Sequence, residues 1–364
     1  MKQFIIVLTT LFSLFAVGCS AKRSETTQRL TLGRNFTSSV LNPMYFSAKA
    51  HDYFADYDLT VNVSAVDNST DVESLGARKI DALYYGFIKQ IVSAAGGADI
   101  KIYAGNLSGG MAVVAHKSVA DDVRNPVNWK GRNIGVSLYG QSDMVAKNLV
   151  INQMHWDYEK DVSFKYFNDQ EALISNVAKH SLDIGIIGPS YVENAKSQGL
   201  VYLYPAVNLY PEYVCCRQSA NAASLAENRE AFVSFLKAQI RGYKDYVTDE
   251  KSTTAIIAKE IQQDESFVTW NVYDPATNEG TTYNPDPNFN NSVPFYDIML
   301  LSGYVTAENP VPIEHIYDIS LYADALQSVI AQFPSDPFYK AMWDYFVSHN
   351  DAYPGFYEAY PAYL

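Results

Sequence analysis

Short β-like runs alternate with amphipathic stretches from Leu30 onward, and this alternation constrains the fold most. The runs are Leu30 to Gly33, Leu59 to Val63, Ile80 to Tyr84, Ile100 to Ala104, Ile134 to Ser137 and Ile184 to Ile187. Helix-like stretches lie between them at Pro43 to Phe54, Asp143 to Met154 and Gln170 to Ala178. Strand and helix in alternation imply α/β layers. Asn42 is placed to cap the first of these helices, with Pro43 at its first position. After about residue 217 the pattern becomes helical. Ser224 and Glu227 have capping-box spacing, and Phe232, Phe235, Leu236, Ile240, Tyr243 and Val247 keep one apolar face. Further helices are expected near Thr253 to Ile261, Phe295 to Leu301 and Leu321 to Phe333. Residues 271–294, with Asp274-Pro275, Asn284-Pro285 and Asp286-Pro287, read as a long loop.

The amino terminus carries a different message. Lys2, an apolar run from Phe4 to Val17, and small residues before Cys19 have the order of an export signal. The run falls short of the roughly 20 residues needed to cross a bilayer, so it reads as a removed leader. Cys19 directly after the cut resembles the lipid acceptor of a bacterial lipobox, with Ala16 where that motif usually has leucine. Such a cysteine carries several acyl chains, enough for a stable anchor where one chain is marginal. The expected organisation is a leader over 1–18 and a polar tether over 19–29. The mature protein is then extracytoplasmic and anchored to a membrane, as a monomer.

Charge narrows the partners. A net charge of -13 argues against nucleic acid and against a polybasic membrane patch, because both partners are anionic. Beyond Cys19 only Cys215 and Cys216 remain. Adjacent cysteines cannot staple distant parts of a fold, so stability must come from packing. The 28 tyrosines and 18 phenylalanines supply flat surfaces with polar handles that suit pocket walls.

Several segments, taken in order, resemble the solute-binding proteins of nitrate-, sulfonate- and taurine-type ABC importers, a family that also includes pyrimidine-precursor binders. They are Ala48-Lys49-Ala50-His51-Asp52-Tyr53-Phe54 with Leu59-Thr60-Val61, then Ile80-Asp81-Ala82, Trp129 to Val136, and Leu182-Asp183-Ile184-Gly185 with Pro189. Asp52, Asp58, Arg78 and His180 stand where that family usually has glycine. The resemblance implies an α/β fold of the two-lobed, type II periplasmic-binding-protein kind, with two crossover hinge strands and a ligand held between the lobes. Lobe one would comprise 30–115 and 217–364, and lobe two 120–205. The hinges would lie near 111–119 and 204–216.

In open α/β sheets ligands sit beyond the carboxyl ends of strands, where helix N-termini offer free N–H groups and partial positive charge. That rule selects five loops. The first contains Phe36, Thr37, Ser38 and Asn42, with Arg34 just before it. The second is Tyr84-Tyr85-Gly86, of which adjacent strand residues point opposite ways. The third runs from Asn106 through Ser108 to Gly110. The other lobe supplies Tyr139, Gln141, Ser142 and Asp143, and then Gly188, Pro189 and Tyr191. Ser142 and Asp143 also fit plain helix caps, and Asn106 to Gly110 also fits an ordinary turn.

No phosphate loop, nucleophile elbow or paired metal-binding histidines occur, so neither a cofactor nor catalysis is expected. Cys215 and Cys216 read most simply as small buried thiols on a return strand, beside the alternatives of a vicinal disulfide, a metal site or a nucleophile. The expected function is a lipid-anchored receptor that captures a sulfonate, carboxylate, amine or pyrimidine-like molecule and delivers it to an ABC permease. Two alternatives are an enzyme forming a pyrimidine precursor on the same fold, using His51 or the cysteine pair, and an extracytoplasmic sensory module.

Overall fold

The computed structural model describes residues 28–34, 42–67, 70–138, 140–274, 280–306 and 310–361. Two separate β-sheets organise them. The first contains β1 (Gln28–Arg34), β2 (Leu59–Ala65), β3 (Ala82–Gly86), β4 (Ile100–Ser108), and later β10 (Val214–Asn221) and β11 (Thr282–Tyr283). Their order is β11-β4-β10-β3-β1-β2. β1 runs parallel to β2 and β3, while β10 is antiparallel to both β3 and β4. The second sheet contains β5 (Ala112–Ala115), β6 (Asn133–Ser137), β7 (Ser163–Phe167), β8 (Ile184–Ile187) and β9 (Val201–Pro205). Their order is β7-β6-β8-β5-β9.

The chain changes sheet between β4 and β5, at residues 109–111, and returns between β9 and β10, at 206–213. The first change comes earlier than a division after residue 115. Residues 112–115 pair with β8 and β9, so they belong to the second sheet. β5 and β8 are buried at every position. Such two-sided burial replaces period-two alternation by a continuous apolar run.

Helices cover the sheets: α1 (Pro43–Ala50), α2 (Asp71–Gly76), α3 (Phe87–Ala95), α4 (Ala120–Val123), α5 (Gln141–Lys147), α6 (Gln170–Ala178), α7 (Val192–Ser197), α8 (Ala222–Glu227) and α9 (Arg229–Thr248). Asn42 caps α1 as expected, its Oδ1 accepting from the Tyr45 N–H at 2.8 Å. α9 is the spine of the first sheet's helical layer. It buries Phe232, Phe235, Leu236 and Ile240 completely, each worth roughly 1.5–3 kcal/mol relative to exposure. Phe235 stacks on Phe54, with ring centroids 5.5 Å apart. Among the described residues no helix is long and apolar enough to cross a membrane.

Three local expectations change. Ser224 and Glu227 do not form a capping box; Asn221 caps α8, accepting from the Ala223 and Ser224 N–H groups. Ser224 Oγ and the Glu227 carboxylate instead take the Arg78 guanidinium. Residues 271–294 are not a single loop, since β11 pairs with the end of β4 and a helix starts at Phe289. Strand structure also continues past residue 217, to Asn221.

The four positions that lack an expected glycine share one backbone state. Asp52, Asp58, Arg78 and His180 have φ of 58°, 54°, 57° and 58°. The left-handed conformation that glycine adopts freely is therefore retained, with side chains that raise its energy.

Candidate functional site

The carboxyl ends of β3 and β6 bring the two sheets together. Gly86 ends β3 and starts α3, and Gln141 starts α5 just after β6. A Cβ on Gly86 would sit 3.5 Å from Gln141 Nε2. That amide donates a 3.0 Å hydrogen bond to the carbonyl of Cys215, at the start of β10. Gln141 thus joins the second sheet's first long helix to the first sheet's central antiparallel strand.

Around this contact the second sheet presents a connected polar set. Gln170, the first residue of α6, accepts from the Gly188 N–H at 2.8 Å and donates to Ser137 Oγ at 3.2 Å. One side chain therefore ties the ends of β6 and β8. Pro189 opens a single helical turn and Tyr191 closes it, half-buried, with its ring packed beside Gly188. Ser142 is fully buried and its Oγ accepts from the Ser137 N–H at 2.9 Å.

Other expected ligand groups have internal work. Tyr84 donates to Gln239 Oε1 at 3.0 Å on α9, and Gln239 forms a reciprocal amide pair with Gln218 of β10. Tyr85 is buried on the opposite face, where burial pushes its hydroxyl far above the usual phenol range, and Asp71 and Glu73 add to the effect. The two rings thus point apart, as adjacent strand residues must.

Asn106 and Ser108 are not loop residues. They lie in β4 and are buried, covered by the segment that leads through β11. The Asn106 carbonyl accepts from the Asn284 N–H at 3.0 Å, and the Gly105 N–H donates to the Pro285 carbonyl at 2.8 Å. Glycine at 105 is required there, because a Cβ would meet the Asp286 carbonyl at 1.9 Å. Ser108 Oγ faces the buried guanidinium of Arg217, whose Nη1 is 3.4 Å away.

Asp143 is occupied as well. It pairs with Lys147 at 2.9 Å, with both side chains nearly sealed from water, and also accepts from the Tyr304 hydroxyl. Burial pushes the Asp143 carboxyl up, and Lys147 and Tyr304 pull it back down. The Lys147 ammonium lies 5.4, 5.7 and 5.1 Å from the ring centroids of Tyr158, Tyr166 and Tyr304. This is a cation–π enclosure filled by the protein's own lysine.

Cys19, Phe36, Thr37, Ser38 and Tyr139 lie outside the described residues. Of the remaining expected residues, Gly86 and Gln141 meet across the two sheets, while Ser142, Gly188, Pro189 and Tyr191 lie just after the carboxyl ends of β6 and β8. Asn42 adds the α1 N-terminus beside Tyr84; burial holds the Tyr84 hydroxyl well above the usual phenol range, and Asn42 opposes that shift only slightly. His51 is elsewhere. It ends α1 at the far end from Asn42 and pairs with Asp245 at 3.0 Å.

Sequence reasoning missed Gln170, Arg217 and Gln239. An isolated glutamine or a strand arginine carries no spacing signal, because each gains its role from a partner distant in the chain. It also missed a recess of about 230 Å³ on the helical side of the first sheet, between Tyr243, Tyr322, Phe338, Tyr345 and Glu212.

A family model described as NMT1/THI5 like matches residues 42–252. No curated protein sequence matches the chain. Among solved structures, the periplasmic aliphatic sulphonate binding protein SsuA from Escherichia coli is 15% identical, with a TM-score of 0.60 over 78% of this chain and 95% of its own. The periplasmic nitrate-binding protein NrtA from Synechocystis PCC 6803 is 15% identical, with a TM-score of 0.62 over 86% and 92%. The desulfurization enzyme DSZB is 11% identical, with a TM-score of 0.57 over 83% and 99%. These likenesses establish a periplasmic-binding-protein fold, one that carries both binding proteins and an enzyme.

Proposed function

The chain belongs to the NMT1/THI5-like family, and from that premise we propose that it is the solute-binding component of an ABC importer, holding a small organic molecule between its two sheets. One observation carries this reading. Two α/β sheets, linked by two connections, meet at the carboxyl ends of their strands, where Gln141 bonds to Cys215. Ligands of open α/β sheets bind at such ends. The two connections at 109–111 and 206–213 are the hinges, and the sheets with their helices are the lobes. Closure is then favoured by contacts that exist only when both lobes touch the guest.

The set Gly86, Gln141, Ser137, Gln170, Gly188 and Tyr191 offers amides, hydroxyls and one ring. Such groups suit a ligand with an apolar or ring body and one polar handle, in the class of sulfonates, carboxylates or pyrimidine-like rings. Binding and release involve no bond made or broken. The leader and Cys19 support an extracytoplasmic protein held to its membrane by a lipid on that sulfur. A membrane permease is the partner that receives the ligand.

The test is a thermal-shift screen of sulfonates, carboxylates, amines and pyrimidine-like rings, followed by calorimetry on any hit. Saturable binding should raise the melting temperature as RT ln(1 + [L]/Kd) requires, and Gln141→Ala should weaken the hit. A screen with no shift, or a hit whose affinity ignores Gln141 and Gln170, would overturn this placement. The anchor is tested separately: Cys19→Ser should move the chain from the membrane fraction to the soluble one.

A further inference from the structure

Adjacent residues on a regular strand point to opposite faces, yet Cys215 Sγ and Cys216 Sγ are only 3.3 Å apart. The cause lies in β10. Its pairing with β4 passes from Val214 opposite Ser108 to Cys216 opposite Leu107, with register shifts on both sides of Cys216. Cys215 is the extra residue of a β-bulge, and a bulge re-aims a side chain and leaves its residue off the ladder. Its carbonyl is consequently open to Gln141, which takes it at 3.0 Å. Both thiols are free and half-buried. The sulfurs are also unequal: the Cys215 S–H lowers the Cys216 thiol, while its own is raised by the same hydrogen bond and by burial.

We propose that Cys215 and Cys216 form a reversible redox site, in which exchange with a small disulfide closes a vicinal disulfide and breaks the Gln141 contact. The Cys216 thiolate attacks one sulfur of the small disulfide, forms a mixed disulfide and expels one thiolate. Cys215 then loses its proton to solvent, and its sulfur attacks Cys216 Sγ and expels the second thiolate. The protein loses two hydrogens, and the small disulfide becomes two thiols. Closing the sulfurs from contact to roughly 2.0 Å creates a small ring. The Cys215 carbonyl belongs to the peptide bond inside that ring, so the group that Gln141 holds must reorient. This couples the redox state of β10 to the junction between the sheets, and it stands whether or not a solute binds there.

The test uses the full chain, reduced, then equilibrated with oxidised and reduced glutathione and quenched by alkylation. Trypsin releases Ser197–Arg217, which holds both cysteines and excludes Cys19. The expected peptide is lighter by two hydrogens and unalkylated, while Cys215→Ser stops at a Cys216–glutathione adduct. Gln141→Ala should favour the disulfide about fivefold, since one neutral hydrogen bond no longer opposes the ring. A peptide that stays alkylated, or that carries glutathione on both sulfurs, overturns the site. A redox equilibrium unchanged by Gln141→Ala overturns the coupling.

Discussion

Lys147 neutralises Asp143 inside the protein: their charged atoms are 2.9 Å apart and the side chains are only 3% and 0% exposed. Breaking such a pair strands a charge in a medium that solvates it poorly, at a cost of roughly 3–5 kcal/mol. Lys147→Met should therefore lower stability by about that amount in urea melts. The double variant Asp143→Asn/Lys147→Met should recover most of the loss, because no charge is left behind. Equal losses in the single and double variants would show that packing around the tyrosines matters more than the pair.

Arg78 occupies a left-handed backbone position, with φ of 57°. Its guanidinium bonds to the buried Ser224 hydroxyl and, at the protein surface, to Glu227, and exposed ion pairs of the latter kind contribute little. A residue with a Cβ held left-handed costs about 1–2 kcal/mol relative to the ordinary helical region. Arg78→Ala loses the pair and keeps the strain, whereas Arg78→Gly loses the pair and relieves it. The glycine variant should be more stable than the alanine variant by about 1 kcal/mol. Equal melting temperatures for the two would mean that this turn relaxes without cost.

Residues whose roles are local were legible in the sequence. Asn42 and Pro43 announce the start of α1, and Ile184 to Ile187 is a strand with those bounds. The glycine-to-aspartate and glycine-to-histidine departures at 52, 58 and 180 did not disturb the turns, because backbone geometry is set by the packing of the flanking elements. Roles that depend on distant partners were hidden. Asp143 fits a cap or ligand group until Tyr304 and the aromatic rings around Lys147 enclose it. Ser224 with Glu227 fits a capping box until Arg78 arrives from far earlier in the chain. Asn106 to Gly110 looks like a free polar loop because nothing local reveals that residues 280–287 will lie across it. The hydrogen bond between the sheets joins Gln141, whose place in a loop after a strand could be read locally, to the Cys215 carbonyl, which could not, since a bulge depends on pairing rather than composition.

Gly242 lies inside α9, where alanine would usually be preferred by up to about 1 kcal/mol. Here the crossing helix forbids it. A Cβ would meet the Met44 carbonyl of α1 at 2.2 Å and the Ala48 nitrogen at 3.0 Å. Backbone atoms cannot swing aside, so the two helices must separate. Gly242→Ala should destabilise by about 1–3 kcal/mol, the usual range for overpacking, despite its better helix propensity. Chemical denaturation gives the sign directly, and a stabilised variant would refute the close crossing of α1 and α9.

Asp286 sets a pH dependence whose direction follows from burial. It is 2% exposed, and its Oδ1 accepts from the Asn288 N–H at 2.8 Å and from Asn350 Nδ2 at 2.9 Å. Its Oδ2 is buried without a partner. Burial pushes the carboxyl up to about 6, against smaller opposing effects of Asn350, His349 and Arg217. In the unfolded chain the same group titrates near 3.9. Between about pH 4 and 6 the folded form keeps a proton that the unfolded form has lost, so stability falls as pH rises through this window. The loss from this group approaches 3 kcal/mol as an order of magnitude, complete above about pH 6. Asp286→Asn keeps the Oδ1 acceptor and removes the titration. Urea melts at pH 4.5 and 7 should show the variant gaining on the parent at the higher pH, and a parent and variant that change in parallel would place the carboxyl's folded titration no higher than its unfolded one.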